Sequence, residues 1–188
     1  MCTKLKEIQG LSPKNILNTY WDSERNVYPI DIAKMLYNMG IRIFSYDFSK
    51  FDNDDSKFVG AILTNETDIT LLYRERESKS RSRFVLAHEL AHCCLRNFNM
   101  QSNPHVEYYC EEISTDLHEL KADMFARELL VPLKELRKIL MTKYPDSLPE
   151  VVTLSEMFVV PLDVMTERLK ELNVPYLDQY NRKIICIK

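Results

Sequence analysis

Apolar residues recur every three or four positions in several stretches of the chain, and this spacing predicts amphipathic helices. The stretch "SPKNILNTYW" offers Ser12 as a helix cap and Pro13 in the first turn, so we expect a short helix that ends near Trp21. The stretch "PIDIAKMLYNMG" has apolar side chains on one face and stops at Gly40, which suits a left-handed helix cap. The first 40 residues therefore predict two short helices.

Three runs rich in β-branched and aromatic residues follow, "IRIFSYDF", "FVGAIL" and "DITLLYR", with polar segments between them. They predict a small, mostly antiparallel sheet. Residues 74–83, "RERESKSRSR", contain no apolar side chain and are interpreted as a solvated loop, with a peptide-binding rim as the alternative.

Helical spacing returns in the second half of the chain. One predicted helix extends from about Ser82 to Phe98 and contains "FVLAHELAHCCL", and a second extends from about Ser114 to Leu130. Pro132 either ends this second helix or opens the next one. The stretch "LPEVVTLSEMFVVPLDVMTERLKEL" predicts two more short helices with a turn between them. Helices and strands are thus segregated along the chain, which predicts an α+β fold.

Composition limits the classes of protein that fit. The chain has 188 residues, of which 45% are hydrophobic and 28% charged, as expected for one soluble domain with at most a small appendage. Its net charge of −3 gives no general attraction to nucleic acid or anionic lipid. No run approaches the roughly 18 apolar residues of a membrane helix, and the start has no apolar signal region, so we expect a cytoplasmic protein without a membrane partner.

The five cysteines are odd in number and follow no pattern, which indicates reduced thiols rather than a disulfide framework. Helical geometry turns Cys93 and Cys94 about 100° and 200° away from His92, so the two cysteines cannot both join the histidine pair in a metal site. We expect Cys94 in the core and Cys93 as a partly exposed thiol.

A candidate metal site starts from His88 and His92, which lie four residues apart and so project from one face of a helix. Glu89 lies about 100° round from His88, where it suits a base acting on water beside a metal. A helix with ordinary hydrogen-bonded histidines is the competing interpretation. Glu119 and Asp123, again four apart, favour the metal site: Glu119 can complete a His/His/Glu set with an open position, and Asp123 can accept the second ring N–H of a ligand, preferably His88.

Other polar residues are weaker candidates. His118 is next to Glu119 but on another face of the helix, so a surface role is expected. His105, Tyr108 and Tyr109 lie in a predicted loop, from which they could reach the site and polarise a scissile carbonyl.

The combination of "RFVLAHELAH" with "ELKADMFARELLVP" resembles the ImmA/IrrE family of metallo-endopeptidases. The resemblance extends upstream to "PIDIAKMLYNMGIRIFSYDF" and "AILTN" and downstream to "LSEMFVVPLDVMTERLKEL", so it covers most of the chain. The resemblance implies a zincin-like fold in which His88, His92 and Glu119 bind Zn²⁺, or alternatively Mn²⁺, and Glu89 is the general base. It implies a metallopeptidase domain over residues 1–146 and a small helical appendage over 147–188.

The same resemblance implies a function and a way to bind substrate. Such proteins are often encoded beside helix-turn-helix repressors of mobile elements or stress genes, which they inactivate by cleavage, so the resemblance implies an anti-repressor. In the fold it implies, a sheet edge beside the active-site helix pairs with the substrate as an added strand. We expect "FVGAILTN" to form that edge. Neither the substrate nor the oligomeric state follows from the sequence.

The alternative function is a non-catalytic, metal-binding transcriptional regulator that acts through protein or DNA binding, because the last two helices have helix-turn-helix spacing. Charge argues against DNA. The would-be recognition helix carries Asp163, Glu167 and Glu171 against Arg168 and Lys170, whereas phosphate contact needs a positive surface. We therefore expect no direct contact with nucleic acid.

Overall fold

A computed structural model describes residues 2–21, 28–47, 58–95, 105–110 and 117–185 of the chain. The described part contains the helices α1 (Thr3–Ile8), α2 (Pro13–Tyr20), α3 (Ile32–Asn38), α4 (Lys79–Leu95), α5 (Leu117–Leu130), α6 (Leu133–Lys143), α7 (Val151–Phe158) and α8 (Leu162–Glu171). Its strands are β1 (Arg42–Tyr46), β2 (Phe58–Thr64), β3 (Ile69–Arg74), β4 (His105–Cys110), β5 (Tyr176–Leu177) and β6 (Lys183–Ile184). The α+β class is as predicted.

The main sheet has four strands in the order β1-β3-β2-β4. β1 runs parallel to β3, and both other pairings are antiparallel, so the sheet is mostly antiparallel as expected. β5 and β6 form a separate two-stranded ribbon near the C-terminal end of the described part. The ribbon and α1 were not predicted. α1 is too short to repeat its apolar spacing, although its Leu5 and Ile8 are fully buried.

The expectation that "FVGAILTN" forms the edge of the sheet was wrong. β2 pairs with β3 on one side and with β4 on the other, so it lies inside the sheet. The edge next to it is β4, whose residues the sequence placed in a loop. The turn-forming residues "QSNP" before it and the acidic pair "EE" after it favoured a loop, although Val106, Tyr108 and Tyr109 suit a strand.

α4 is the central helix of the fold. It packs against β2 and β3 on one side and against α5, α1 and α3 on others, and every residue from Arg83 to Cys94 is buried. Because neighbouring elements cover α4 on every side over these residues, a cysteine at any of these positions is buried. Cys94 is in the core as predicted, but the expectation of a partly exposed Cys93 was wrong, since its exposed fraction is 0%.

The solvated loop predicted at residues 74–83 was also wrong in part. Arg74 closes β3, and α4 begins at Lys79. The Ser78 hydroxyl accepts a hydrogen bond from the backbone N–H of Arg81 at 3.2 Å, as an N-cap does. Arg83 is buried because backbone carbonyls satisfy its guanidinium: it donates to Val159 at 2.9 Å, Ile30 at 2.6 Å and Phe158 at 3.3 Å.

The two C-terminal helices form where the sequence predicted them, and Val159 in the turn between them has a left-handed φ of 50°. Leu154, Phe158, Met165 and Leu169 belong to the same apolar cluster as the buried side of α4. The division at residues 146 and 147 stays a prediction. Among the described residues, no helix combines the length and the apolar character that a membrane crossing requires.

Candidate metal centre

The candidate site lies between α4 and α5. His88, Glu89 and His92 are at most 3% exposed, while Glu119 and Asp123 on α5 have about a third of their side-chain surface open. Two small residues of α5, Ala122 and Ala126, are fully buried and let the two helices approach closely. Because four residues make slightly more than one turn, each helix directs its pair of polar side chains to the same side of the contact.

Three ligand-type side chains converge at this contact. His88 Nε2 lies 2.9 Å from His92 Nε2 and 3.1 Å from Glu119 Oε2, and His92 Nε2 lies 3.3 Å from Glu119 Oε1. Within the part of the chain that is described, His88, His92 and Glu119 are the group of three whose ligand atoms all lie within 4.8 Å of one another and could hold a metal ion.

These distances fit a tetrahedral metal site. Ligand atoms held about 2.0 to 2.1 Å from a zinc ion at tetrahedral angles are separated by about 3.3 Å. The 2.9 Å between the two histidine nitrogens is close to this value, and so are the 3.1 and 3.3 Å from these nitrogens to one or the other carboxylate oxygen of Glu119. Two imidazole nitrogens and a carboxylate form a donor set suited to a divalent cation, and a set of three leaves one tetrahedral position for water or substrate.

Asp123 holds the other side of the His88 ring. His88 Nδ1 lies 2.9 Å from Asp123 Oδ1, so the ring donates its Nδ1–H to the carboxylate and directs Nε2 toward the site. In the metal-free arrangement burial alone would lower the pKa of His88, but hydrogen bonds to Asp123 and Glu119 raise it to about 9. Hydrogen bonds from the two histidines lower the pKa of Glu119.

His92 differs from His88 in this respect. Its Nδ1 atom is buried and has no hydrogen-bond partner among the described residues. Asp123 was predicted to prefer His88 over His92, and the structure places it beside His88.

Two features of the site were missed by sequence reasoning. Gly60 of β2 lies directly against the carboxylate of Glu89. Asp123 also connects to the C-terminal helices, because Arg127 Nη1 lies 3.8 Å from Asp123 Oδ2 and Arg127 Nε donates to Glu171 Oε1 at 2.7 Å. For the contact at Gly60 the sequence contains one signal, a glycine inside a strand pattern. For the contacts of Arg127 it contains none.

The weaker candidates are not brought into the group of ligand atoms. His118 is exposed on α5, as expected from its position next to Glu119. The side chains of His105, Tyr108 and Tyr109 lie outside the described part of the chain, so a role in polarising a carbonyl stays a prediction.

Comparison with known proteins identifies the family. No curated protein gives a significant match to the chain. The family model of the M78 peptidases, described as the IrrE N-terminal-like domain, matches residues 37–170, which include α4, α5 and most of the two C-terminal helices. This match covers well over half of the chain and all five candidate site residues. The chain belongs to the IrrE N-terminal-like family of M78 metallopeptidases.

Proposed function

We propose that this protein is a zinc-dependent endopeptidase that cleaves a specific protein, a helix-turn-helix repressor, in the cytoplasm. The observation that carries the proposal is the convergence of His88, His92 and Glu119 beside a buried Glu89 on the same helix as the two histidines. The family supplies the metallopeptidase class. The substrate class rests on the sequence resemblance to the ImmA/IrrE family.

Each side chain has a defined part in amide hydrolysis. His88, His92 and Glu119 would hold the metal, which supplies a Lewis acid that polarises the scissile carbonyl and acidifies water. Glu89 takes the proton from the attacking water and later delivers it to the leaving amine. Asp123 fixes the orientation and tautomer of His88.

The sheet suggests how an extended substrate binds. β4 pairs with β2 along one side, and no described strand pairs with its other side. A substrate segment added along this side would gain backbone hydrogen bonds, which give affinity without selecting particular side chains. Selectivity for one repressor would then depend on contacts outside the added strand.

The decisive experiment separates metal binding from metal use. Glu89→Gln is nearly isosteric and replaces no candidate ligand, so metal content and folding should survive while cleavage falls by about 10² to 10⁴-fold. The full chain, as wild type or as this variant, is co-expressed with the helix-turn-helix repressor encoded beside it, and the repressor is analysed by intact mass. A defined pair of fragments with wild type alone supports the proposal. Relief of repression by both forms without any fragment refutes it.

The helix-turn-helix spacing of α7 and α8 favours one alternative, a non-catalytic, metal-binding regulator that acts through protein or DNA binding. Its α8 helix exposes Asp163, Glu167 and Lys170, so the exposed charges do not form a positive surface. A gel-shift titration against upstream DNA tests this function. Submicromolar binding that weakens with salt, with a log–log slope near about −0.9 per neutralised phosphate, would favour the regulator over the enzyme.

A further inference from the structure

The chain contains three glycines, and one of them is not explained by backbone conformation. Gly10 and Gly40 have φ angles of 83° and 72°, in the left-handed region where glycine is favoured. Gly60 is not among the residues with positive φ, and it lies within β2, where glycine weakens a strand. A reason other than conformational freedom is therefore needed at this position.

Space supplies that reason. A Cβ atom built on Gly60 would overlap with Glu89 Oε1 and would lie 2.6 Å from Val85 Cγ1 and 3.3 Å from Glu89 Cδ. Real Cβ atoms essentially never approach other heavy atoms to less than 3.0 Å. The carboxylate of Glu89 thus occupies the volume that any other residue at position 60 would fill with its side chain.

An irregularity of the strand occurs at the same point. Phe58 pairs with Cys110 and Gly60 pairs with Tyr109, so Val59 is an extra residue of β2 with no counterpart on β4. Such a bulge bends the strand locally and is a common feature of sheets next to active sites. Val59 is fully buried, so the bulge is held in place by packing.

We propose that Gly60 is a positioning residue: by lacking a side chain, it lets the bulged strand seat the carboxylate of Glu89 beside the His88, His92 and Glu119 group. The inference rests on the proposed function, because it assigns Glu89 the role of base. Glu89 is 1% exposed, so its carboxylate has little room to turn elsewhere if this volume is filled.

Thermal unfolding of the full chain, with and without Zn²⁺, tests the contact without reference to activity. Gly60→Ala should lower Tm by about 3 to 10 °C, as overpacking in a core does. In a Glu89→Asp background, where the carboxylate is one methylene shorter, the same substitution should lower Tm by less than half as much. Val85→Ala is the matched control because it relieves only the second contact of the built Cβ. If Val85→Ala abolishes the whole decrease in Tm caused by Gly60→Ala and Glu89→Asp abolishes none of it, the inference fails.

Kinetics then distinguishes positioning from general destabilisation. The probe is a quenched-fluorescence peptide library, and the peptide that wild type cleaves fastest serves as substrate. Gly60→Ala should lower kcat by about 10²-fold with KM and metal content unchanged, since a displacement of about 1 Å costs this much. In the Glu89→Gln background it should cause no further loss of the residual rate, because the group it positions is already inactive.

An unchanged kcat in Gly60→Ala, or an equal loss of rate in both backgrounds, overturns the positioning role while leaving the peptidase function intact. Absence of cleavage by metal-loaded wild type refutes the proposed function itself, and this inference with it. Should Gly60→Ala fail to fold, the Gly60→Ala/Glu89→Asp variant should still fold, and failure of both contradicts the proposed contact.

Discussion

Removal of Asp123 should weaken zinc binding by an amount that depends on pH. The carboxylate accepts a hydrogen bond from His88 at 2.9 Å. Loss of such a partner of a metal-binding histidine costs about 10 to 100-fold in affinity. The same carboxylate helps to raise the pKa of His88 to about 9, so it also favours the proton that competes with the metal. At pH 7 this competition weakens the wild-type site by about 10²-fold.

The two effects oppose each other at pH 7 and separate at pH 9. Asp123→Ala removes the orienting hydrogen bond but also lessens the competition from the proton, so at pH 7 we expect a loss of about 10-fold. At pH 9 the proton competes far less in wild type, and the loss should approach about 100-fold. Asp123→Asn, which keeps an oxygen acceptor without the charge, should fall between wild type and Asp123→Ala.

Zinc affinity is measured by competition with a chromophoric chelator in metal-buffered solution at both pH values. Glu128→Ala is the matched control, since it removes one negative charge from another position on the same helix. Equal zinc affinities of wild type and Asp123→Ala at pH 9 would refute the orienting role of Asp123. The competition from the proton is refuted if the wild-type affinity does not rise between pH 7 and pH 9.

Metal content, the pH dependence of stability and the ion pair of Arg127 with Glu171 can each be tested. Purified protein should hold about one equivalent of metal, and alanine at any one of the three candidate ligand positions should abolish most of it, as elemental analysis will show. Folding raises the pKa of His88 to about 9, and the resulting stabilisation disappears as the proton leaves. In urea unfolding the metal-free chain should therefore lose up to about 3 kcal/mol of stability between pH 6.5 and pH 9. A stability that does not change over this pH range would contradict the prediction. Glu171→Gln, which removes the charge that holds Arg127, should weaken zinc binding by up to about fivefold, whereas Glu167→Gln in an exposed ion pair should have no effect.

The parts of the site that could be predicted are those fixed by helical period. Residues four apart on one helix must share a face, so the spacing of His88 with His92 and of Glu119 with Asp123 was enough to indicate two complementary pairs. The same logic predicted the helices that carry them, because long amphipathic segments give the clearest sequence signal.

The missed parts depend on contacts between residues that are distant in sequence. Arg127 and Glu171 are 44 positions apart, and the pairing of β4 with β2 joins residues separated by more than 40 positions, so no local pattern reports either contact. The same holds for Arg83, whose charge suggested solvent although distant carbonyls satisfy it in the interior. Local periodicity determines which face a side chain occupies, but not which element covers it.

The buried guanidinium of Arg83 has a consequence for the evolution of this chain. Two of its three carbonyl acceptors, Phe158 and Val159, belong to the end of α7 and the turn that follows it. A chain cut after residue 146 would lose two of the three carbonyls that satisfy this guanidinium, together with the apolar side chains of α7 and α8 that share its core. Recombination that exchanges the last helices between relatives would therefore succeed only when the incoming turn presents its backbone oxygens to this arginine.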